Sequence, residues 1–212
     1  MVPAITVWRG FLASDKQLAR HAVYPMPDKV LSGADGVMKA LEDIAKRMGG
    51  GEVSVGFPEG DLYSDGTPVA AAAFWNEFGT STIPPRPFFR PMIAKESPTW
   101  PKKMASWAKS FNYDGPKVLA YLGEDIAGAL RQSIIEVNSP ALSPITLMLR
   151  SMVGNKPELI TGKMVGEAAA KVAAGERGAT GTQAKPLNWT GTMMRAPAYS
   201  VNGGAFVKVA KD

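Results

Sequence analysis

The chain of 212 residues has no cysteine and a single histidine, His21. Without cysteine, disulfides and thiolate chemistry are excluded, and synthesis in a reducing compartment is expected. A Ser–His–Asp mechanism would depend on His21 alone, and one histidine cannot form a histidine-rich metal site. We therefore expect no catalytic residues, no metal and no cofactor, and we do not predict an enzyme.

Long apolar runs are also missing. No stretch approaches the roughly 20 apolar residues that a membrane helix needs. The N-terminal residues lack the basic region and the apolar run of a signal peptide, so we expect neither a signal peptide nor a membrane partner.

Two apparent ligand motifs fail on spacing. The glycines at 49–51 follow a helical pattern and no Gly-Lys-Ser/Thr comes after them, so they do not form a phosphate-binding loop. Glu59, Asp61 and Asp65 lie in a turn-rich loop without the alternating oxygens and terminal glutamate of a calcium loop. The adjacent carboxylates Glu124 and Asp125 diverge on a helix and form no acid–base pair.

Charge is distributed in blocks along a chain of net charge +5. Residues 52–85 contain five acidic and no basic side chains, whereas residues 86–113 contain six basic and one acidic. One interpretation is that both blocks are solvated faces. The other is that the acidic face of one subunit meets the basic face of its neighbour, because head-to-tail interfaces join unlike surfaces.

The periodicity predicts an α+β fold, in which a small, mainly antiparallel sheet packs against two or more long helices. Strands are expected at 52–57 and in a hairpin at 199–210 that turns at Asn202-Gly203. Helices are expected at 34–48 and 116–137, each with an apolar stripe facing the core. The stripes contain Val37, Leu41, Ile44 and Met48 in the first, and Leu119, Leu122, Ile126, Leu130, Ile134 and Val137 in the second.

The rest of the chain is predicted from weaker signals. Residues 1–30 are expected to form an extended N-terminal arm, with a short strand within 2–8 and a helical turn after Ser14-Asp15, and residues 31–212 a single domain. A flexible insertion is expected at 154–185, with an alanine-rich helix at 167–174. Within it, residues 176–185 are polar and glycine-rich, so we expect them to carry no part of the fold.

A basic, aromatic segment at 97–111 has two interpretations. Trp100, Met104, Trp107 and Phe111 share one helical stripe, and three lysines lie off it. The segment is either an amphipathic helix that docks its aromatic residues on the core, or an interface or nucleic-acid helix. A shorter helix is expected at 143–152.

The stretch 68–94 organises the chain. Thr67 as N-cap, Pro68 at the first position and four alanines predict a helix that stops at Gly79. Residues 83–91, Ile-Pro-Pro-Arg-Pro-Phe-Phe-Arg-Pro, are expected to be non-helical and stiff because four prolines fix φ. This segment is either a rigid loop with its phenylalanines in the core, or a contact arm, since Phe and Arg are common interface anchors.

Two motifs carry a resemblance to a known family. Asn76-Glu-Phe-Gly-Thr80 followed by Ile83-Pro-Pro-Arg-Pro-Phe-Phe-Arg-Pro91, and the late Pro186-Leu-Asn-Trp-Thr-Gly-Thr-Met193, resemble signatures of the tail-completion and head–tail joining (neck) proteins of long-tailed bacteriophages. The strand at 53–57 and Tyr199-Ser-Val201 occupy the matching places before and after them. The resemblance covers roughly 30–155 and 186–210.

The resemblance implies a structural virion protein that forms a homo-oligomeric ring, by family resemblance a hexamer, joining tail to head. Its partners would be other phage neck and tail proteins, with DNA close by in the channel. A tail terminator and a head-closure subunit are alternatives within the neck, and a basic nucleic-acid-binding protein is an alternative of another class. The expected interface residues are Phe78, Thr80, Ile83, Pro85, Arg86, Pro87, Phe88, Phe89 and Arg90.

Overall fold

The longest helix, α5 (Gly115–Glu136), packs across an antiparallel sheet. The computed structural model describes residues 5–6 and 34–209, and the sheet orders its strands along the chain as β1 (Ile5–Thr6), β2 (Val53–Gly56), β3 (Ala198–Val201) and β4 (Val207–Lys208). Each strand pairs antiparallel with the next. The α+β prediction is confirmed, as are the short strand within 2–8 and the hairpin at 199–210.

Seven other helices lie within the described residues. They are α1 (Ala34–Met48), α2 (Val69–Phe78), α3 (Phe89–Glu96), α4 (Trp100–Ser110), α6 (Pro144–Val153), α7 (Gly162–Ala173) and α8 (Thr192–Arg195), with 3-10 turns at Ser97–Thr99, Pro157–Leu159 and Gly181–Ala184. The helical turn expected after Ser14 and the residue His21 lie outside the described residues.

The apolar face of α5 forms the centre of the core. Asp114 caps the helix by accepting the backbone N–H of Lys117 at 3.1 Å. Leu122, Ile126, Leu130 and Ile134 are all at most 1% exposed, and they pack with the fully buried Val53 and Val55 of β2. The predicted stripe on this helix is confirmed.

Helix α4 docks its aromatic residues on the same core. Trp100 is buried there, and Met104 and Trp107 pack against the cluster as half-buried residues. Lys103 donates to Asp125 of α5 at 2.7 and 2.9 Å. These contacts agree with the interpretation of 97–111 as an amphipathic helix.

The prediction that the stripe of α1 faces the core is wrong for its first half. Val37 and Leu41 are more than half exposed, and only Ile44 and Met48 are half-buried. The end of α1 meets the start of α5, where a Cβ at Gly115 would overlap the backbone carbonyl of Met48. The period of the stripe indicates an amphipathic helix, but it does not specify which surface covers the apolar face.

The expectation that residues 176–185 carry no part of the fold is also wrong. Ala179 is buried and donates its N–H to the carbonyl of Leu147 at 2.8 Å. The buried guanidinium of Arg150 on α6 donates to the carbonyls of Gln183 and Lys185, at 2.6 and 2.8 Å. Hydrogen bonds to backbone carbonyls hold this segment against α6, and the amino-acid composition of the segment does not predict them. Mobility of the wider insertion 154–185 stays a prediction.

Candidate interface site

Helix α2 ends in a turn that sets the direction of the proline-rich segment, which we define as Ile83–Pro91. Pro68 is the N-cap, in place of the predicted Thr67, and Gly79 takes φ +78° after the last helical residue. A Cβ at Gly79 would come within 3.0 Å of the Ile83 carbonyl and of Pro85, so a side chain would be strained in both conformation and space. The Thr80 hydroxyl accepts the N–H of Ile83 at 3.0 Å and holds the turn.

A buried carboxylate fastens this segment to α2. Glu77 is 4% exposed, and its Oε2 accepts the backbone N–H groups of Phe88 and Phe89, both at 2.8 Å. Its Oε1 accepts the backbone N–H and the Nε of Arg90, at 3.1 and 2.8 Å. The three backbone N–H groups lie at the start of α3 and have no partner inside that helix. Glu77, which is eleven to thirteen residues earlier in the chain, supplies their acceptor.

The electrostatics of Glu77 follow from these contacts. Burial on its own would raise the pKa of this carboxyl, but the N–H groups of Phe89, Arg90 and Phe88 and the Arg90 side chain outweigh burial and lower the pKa below its usual range. The carboxylate therefore stays ionised inside the protein.

This arrangement corrects the expectation that 83–91 excludes a helix. Helix α3 begins at Phe89, and Pro91 lies in its first turn, where a missing N–H costs no intrahelical bond. The sequence signal for Glu77 is a single acidic residue within the largely apolar run 69–78, a pattern that does not by itself predict this role.

Both arginines of the segment bind their own chain. Arg90 pairs with Glu77 and places its guanidinium 4.9 Å from the ring centre of Phe78. Arg86 donates its Nε to the Pro140 carbonyl at 2.9 Å, and burial lowers its pKa. The acidic partner of Arg90 is thus Glu77 of its own chain.

The two phenylalanines of the segment are buried to different extents, and both contact the core. Phe88 is buried, packs edge-on against Phe57, and offers its carbonyl to the Ser133 hydroxyl at 2.6 Å. Phe89 is half-buried. Of the other predicted interface residues, Arg86 is half-buried and six are exposed: Phe78, Thr80, Ile83, Pro85, Pro87 and Arg90.

A groove of about 850 Å³ opens beside this segment. Its walls are the loop at 57–62, helix α2, the segment's Phe88 to Arg90, and Phe206 from the hairpin. The side chains that line it are mostly apolar and partly exposed, with Leu62, Phe74, Phe78 and Phe206 between 42% and 54% exposed. We define these four residues as the groove face.

A face of this kind is suited to binding another protein surface. Clusters of exposed aromatic and aliphatic side chains rimmed by polar groups mark interaction sites. The interface residues predicted from the sequence include Phe78 but not Leu62, Phe74 or Phe206, because these four residues come together only in the folded chain.

A second concave site lies around Arg150. This cavity of about 270 Å³ is lined by Tyr63, Asn76, Arg150 and Trp189 among others. Burial and the charge of Arg86 lower the pKa of Arg150 to about 10, and its guanidinium lies 4.8 Å from the Trp189 ring centre. The sequence signal for the role of Arg150 is that it is the one charged residue in the apolar run 144–153.

Within residues 5–6 and 34–209, no group of three or more His, Cys, Asp or Glu side chains is placed to hold a metal ion. No helix of the described part of the chain is both long and apolar enough to cross a membrane. Comparison with protein-family models, with curated proteins and with solved structures finds no match for this chain.

Proposed function

We propose that the chain is a structural subunit of the neck of a long-tailed bacteriophage, a tail-completion protein that forms a homo-oligomeric ring between tail and head. The observation that carries the proposal is the groove face, because it exposes aromatic side chains directly beside the motif that resembles this family. Its place would be the virion neck, and its other partners the adjoining neck and tail proteins. Tail terminator and head-closure subunit are alternatives within the same neck.

The charge pattern supports a contact between unlike surfaces. The loop at 57–67 carries Glu59, Asp61 and Asp65 and no basic residue, although Asp61 pairs with Lys208 at 2.7 Å, while Lys102 and Lys109 are exposed on α4. In a ring each subunit presents one surface to the neighbour before it and a different surface to the neighbour after it. Opposite charges on the two surfaces would favour the correct orientation.

A basic nucleic-acid-binding protein is the alternative of another class, supported by the exposed Lys95, Lys102 and Lys109. Three other cations of the block 86–113 are engaged within the chain, since Arg90 pairs with Glu77, Lys103 with Asp125, and Arg86 with the Pro140 carbonyl. A true binder would lose DNA affinity steeply as salt rises, and the salt slope of DNA binding therefore discriminates between the two functions.

Phe206→Asp tests the groove face. Phe206 is 42% exposed, so the variant should melt within a few degrees of the parent, whereas a charge in a desolvated contact should weaken self-association at least tenfold. The readout is sedimentation of both proteins over a concentration series, followed by the yield of joined virions when each protein complements a phage that lacks its own copy.

The matched control is Val165→Asp on α7, where the replaced side chain is 41% exposed. It introduces the same charge at the same exposure away from the groove face and should assemble like the parent. If Phe206→Asp assembles and joins particles as well as Val165→Asp, the groove face is not the contact surface.

A further inference from the structure

The cavity of about 270 Å³ around Arg150 lies where the two sequence motifs meet. Asn76, the first residue of the motif at 76–91, lines it together with Trp189, Thr190 and Thr192 of the late motif at 186–193. The two motifs are far apart in sequence, and the groove face contains no residue of the late one. The cavity is therefore the place where both motifs contribute to one surface.

Arg150 is the buried charge of this cavity, since it is only 4% exposed. Its two terminal nitrogens donate to the carbonyls of Gln183, Lys185 and Pro186, at distances between 2.6 and 3.2 Å. Its Nε is also buried and has no hydrogen-bond partner among the described residues. Because a buried donor without an acceptor is costly, an acceptor that enters the cavity would stabilise this side chain.

The charge of Arg150 is not neutralised within the described part of the chain. No carboxylate of those residues forms an ion pair with Arg150 or with Arg86, whose backbone N–H donates to the Asn76 carbonyl at 2.6 Å. Burial, and then the charge of Arg86, lower the pKa of Arg150 to about 10, so the guanidinium is still charged at neutral pH. Carbonyl oxygens satisfy its N–H groups but carry no net charge, and a buried cation without a counter-ion favours an anion beside it.

Two aromatic residues complete the surroundings of the guanidinium. The ring centre of Trp189 lies 4.8 Å from it, and the indole N–H donates to the Gly154 carbonyl at 2.7 Å. Tyr63 lines the cavity and is half-buried. Burial and the charge of Asp65 raise the pKa of Tyr63 to about 12, so its hydroxyl keeps the proton that it can donate to an anion.

Two carboxylates that line the cavity limit the charge of such an anion. Asp65 and Glu158 are both exposed. They accept hydrogen bonds from their own chain, from the Thr67 N–H at 2.9 Å and from the Ser64 hydroxyl at 3.5 Å. Solvent screens their charges, but what remains of the repulsion doubles for an anion with two charges. A monoanion is therefore favoured over a dianion.

We propose that the cavity around Arg150 binds a small molecule with a single carboxylate group. The carboxylate accepts the Arg150 Nε–H and neutralises the guanidinium, and the Tyr63 hydroxyl donates to the same group. The volume of about 270 Å³ lies just below the usual range of ligand pockets, about 300–1,000 Å³, which restricts the ligand to few heavy atoms. This site does not depend on the ring function, because all of its residues belong to one chain.

Acetate is the probe for this site. The ¹⁵N-labelled protein is titrated with sodium acetate near neutral pH, with the ionic strength held constant by sodium chloride. The cross-peaks of the Arg150 Nε–H and the Trp189 indole N–H should shift together and reach saturation. Sulfate, which carries two charges, should bind at least about threefold more weakly at the same ionic strength.

Two variants and a control locate the binding. Arg150→Gln removes the charge and should abolish the acetate-dependent shift of the Trp189 signal. Tyr63→Phe keeps the hydrogen bonds of Arg150 to the carbonyls of 183–186 and removes one donor, so acetate should bind about three- to tenfold more weakly. The matched control Tyr121→Phe removes a hydroxyl that is outside the cavity, on a residue of α5 that is 44% exposed, and should bind acetate like the parent.

The results that would overturn this site are specific. Signals of Arg150 and Trp189 that respond equally to acetate and to chloride would show that no carboxylate binds there. Sulfate that binds as tightly as acetate would contradict the assignment to a monoanion. If Arg150→Gln does not fold, the comparison of Tyr63→Phe with Tyr121→Phe decides, and equal acetate affinities of these two proteins would contradict the site.

Discussion

Glu77→Gln should lower the free energy of unfolding by about 3 kcal/mol, which for a protein of this size corresponds to a melting temperature roughly 6–12 °C lower. The buried carboxylate accepts four hydrogen bonds, from the backbone N–H groups of Phe88, Phe89 and Arg90 and from Nε of Arg90. An amide of the same shape keeps one acceptor oxygen but turns an NH₂ group toward donors. Urea unfolding near neutral pH measures the loss.

The pH dependence gives a second readout of the same contact. The pKa of Glu77 is lowered in the folded protein, so its contribution is fully present above the unfolded value of about 4.3 and is lost as pH falls through the folded pKa. The difference in unfolding free energy between the parent and Glu77→Gln should therefore shrink as the pH is taken below about 4.

Glu59→Gln is the control for both measurements. Glu59 belongs to the same acidic block and is exposed, and its substitution should change the free energy of unfolding by no more than about 0.5 kcal/mol. Equal stability of the Glu77→Gln and Glu59→Gln proteins would show that the carboxylate does not hold the proline-rich segment.

The second large effect is expected at the centre of α5. Ile126→Asp places a carboxylate at a position that is 1% exposed, among Val53, Val55 and Leu130. Burying an unpaired charge there should cost more than about 4 kcal/mol and leave the protein unfolded or nearly so. Far-ultraviolet circular dichroism and a thermal scan measure the outcome.

Two further variants make this result specific. Ile126→Val removes one methylene from the same site and should cost only about 0.5–1.5 kcal/mol with the fold retained. Gln132→Asp puts the same charge on the exposed side of the same helix and should change stability by about 0.5 kcal/mol or less. If the Ile126→Asp protein is folded and has the same melting temperature as Gln132→Asp, the placement of α5 in the core is wrong.

The parts of the fold that could be predicted are those whose signals are local. The period of 3.6 in 116–137 specifies a helix and its buried face, and Asn202-Gly203 specifies the hairpin turn. The structure bears out both, with φ of +52° and +70° at those two residues. The core of α5 and β2 follows directly from these patterns.

The parts that were missed depend on partners distant in sequence. Helix α3 begins inside a proline-rich run because Glu77, eleven to thirteen residues earlier, accepts its first N–H groups. Residues 176–185 pack because Arg150, more than thirty residues away, donates to their carbonyls. Neither the hydrophobic periodicity nor the amino-acid composition of these segments predicts either of these contacts.

The candidate site shows the same division. The motif at 76–91 contains Phe78 and the proline-rich segment, but the groove face also needs Leu62 and Phe206, which lie before and after the motif in sequence and line the same groove only in the folded chain. Conversely, the exposed stripe of α1 has the same period as a core-facing stripe, so only the folded chain distinguishes the two.

The most direct test of the central proposal is the mass and shape of the purified, unmodified protein. Sedimentation and averaged electron-microscope images should show a single closed ring with a central channel, a hexamer if the family resemblance holds. A protein that remains monomeric at every concentration, or that grows into open filaments without closing, would contradict the account of this chain as a ring subunit.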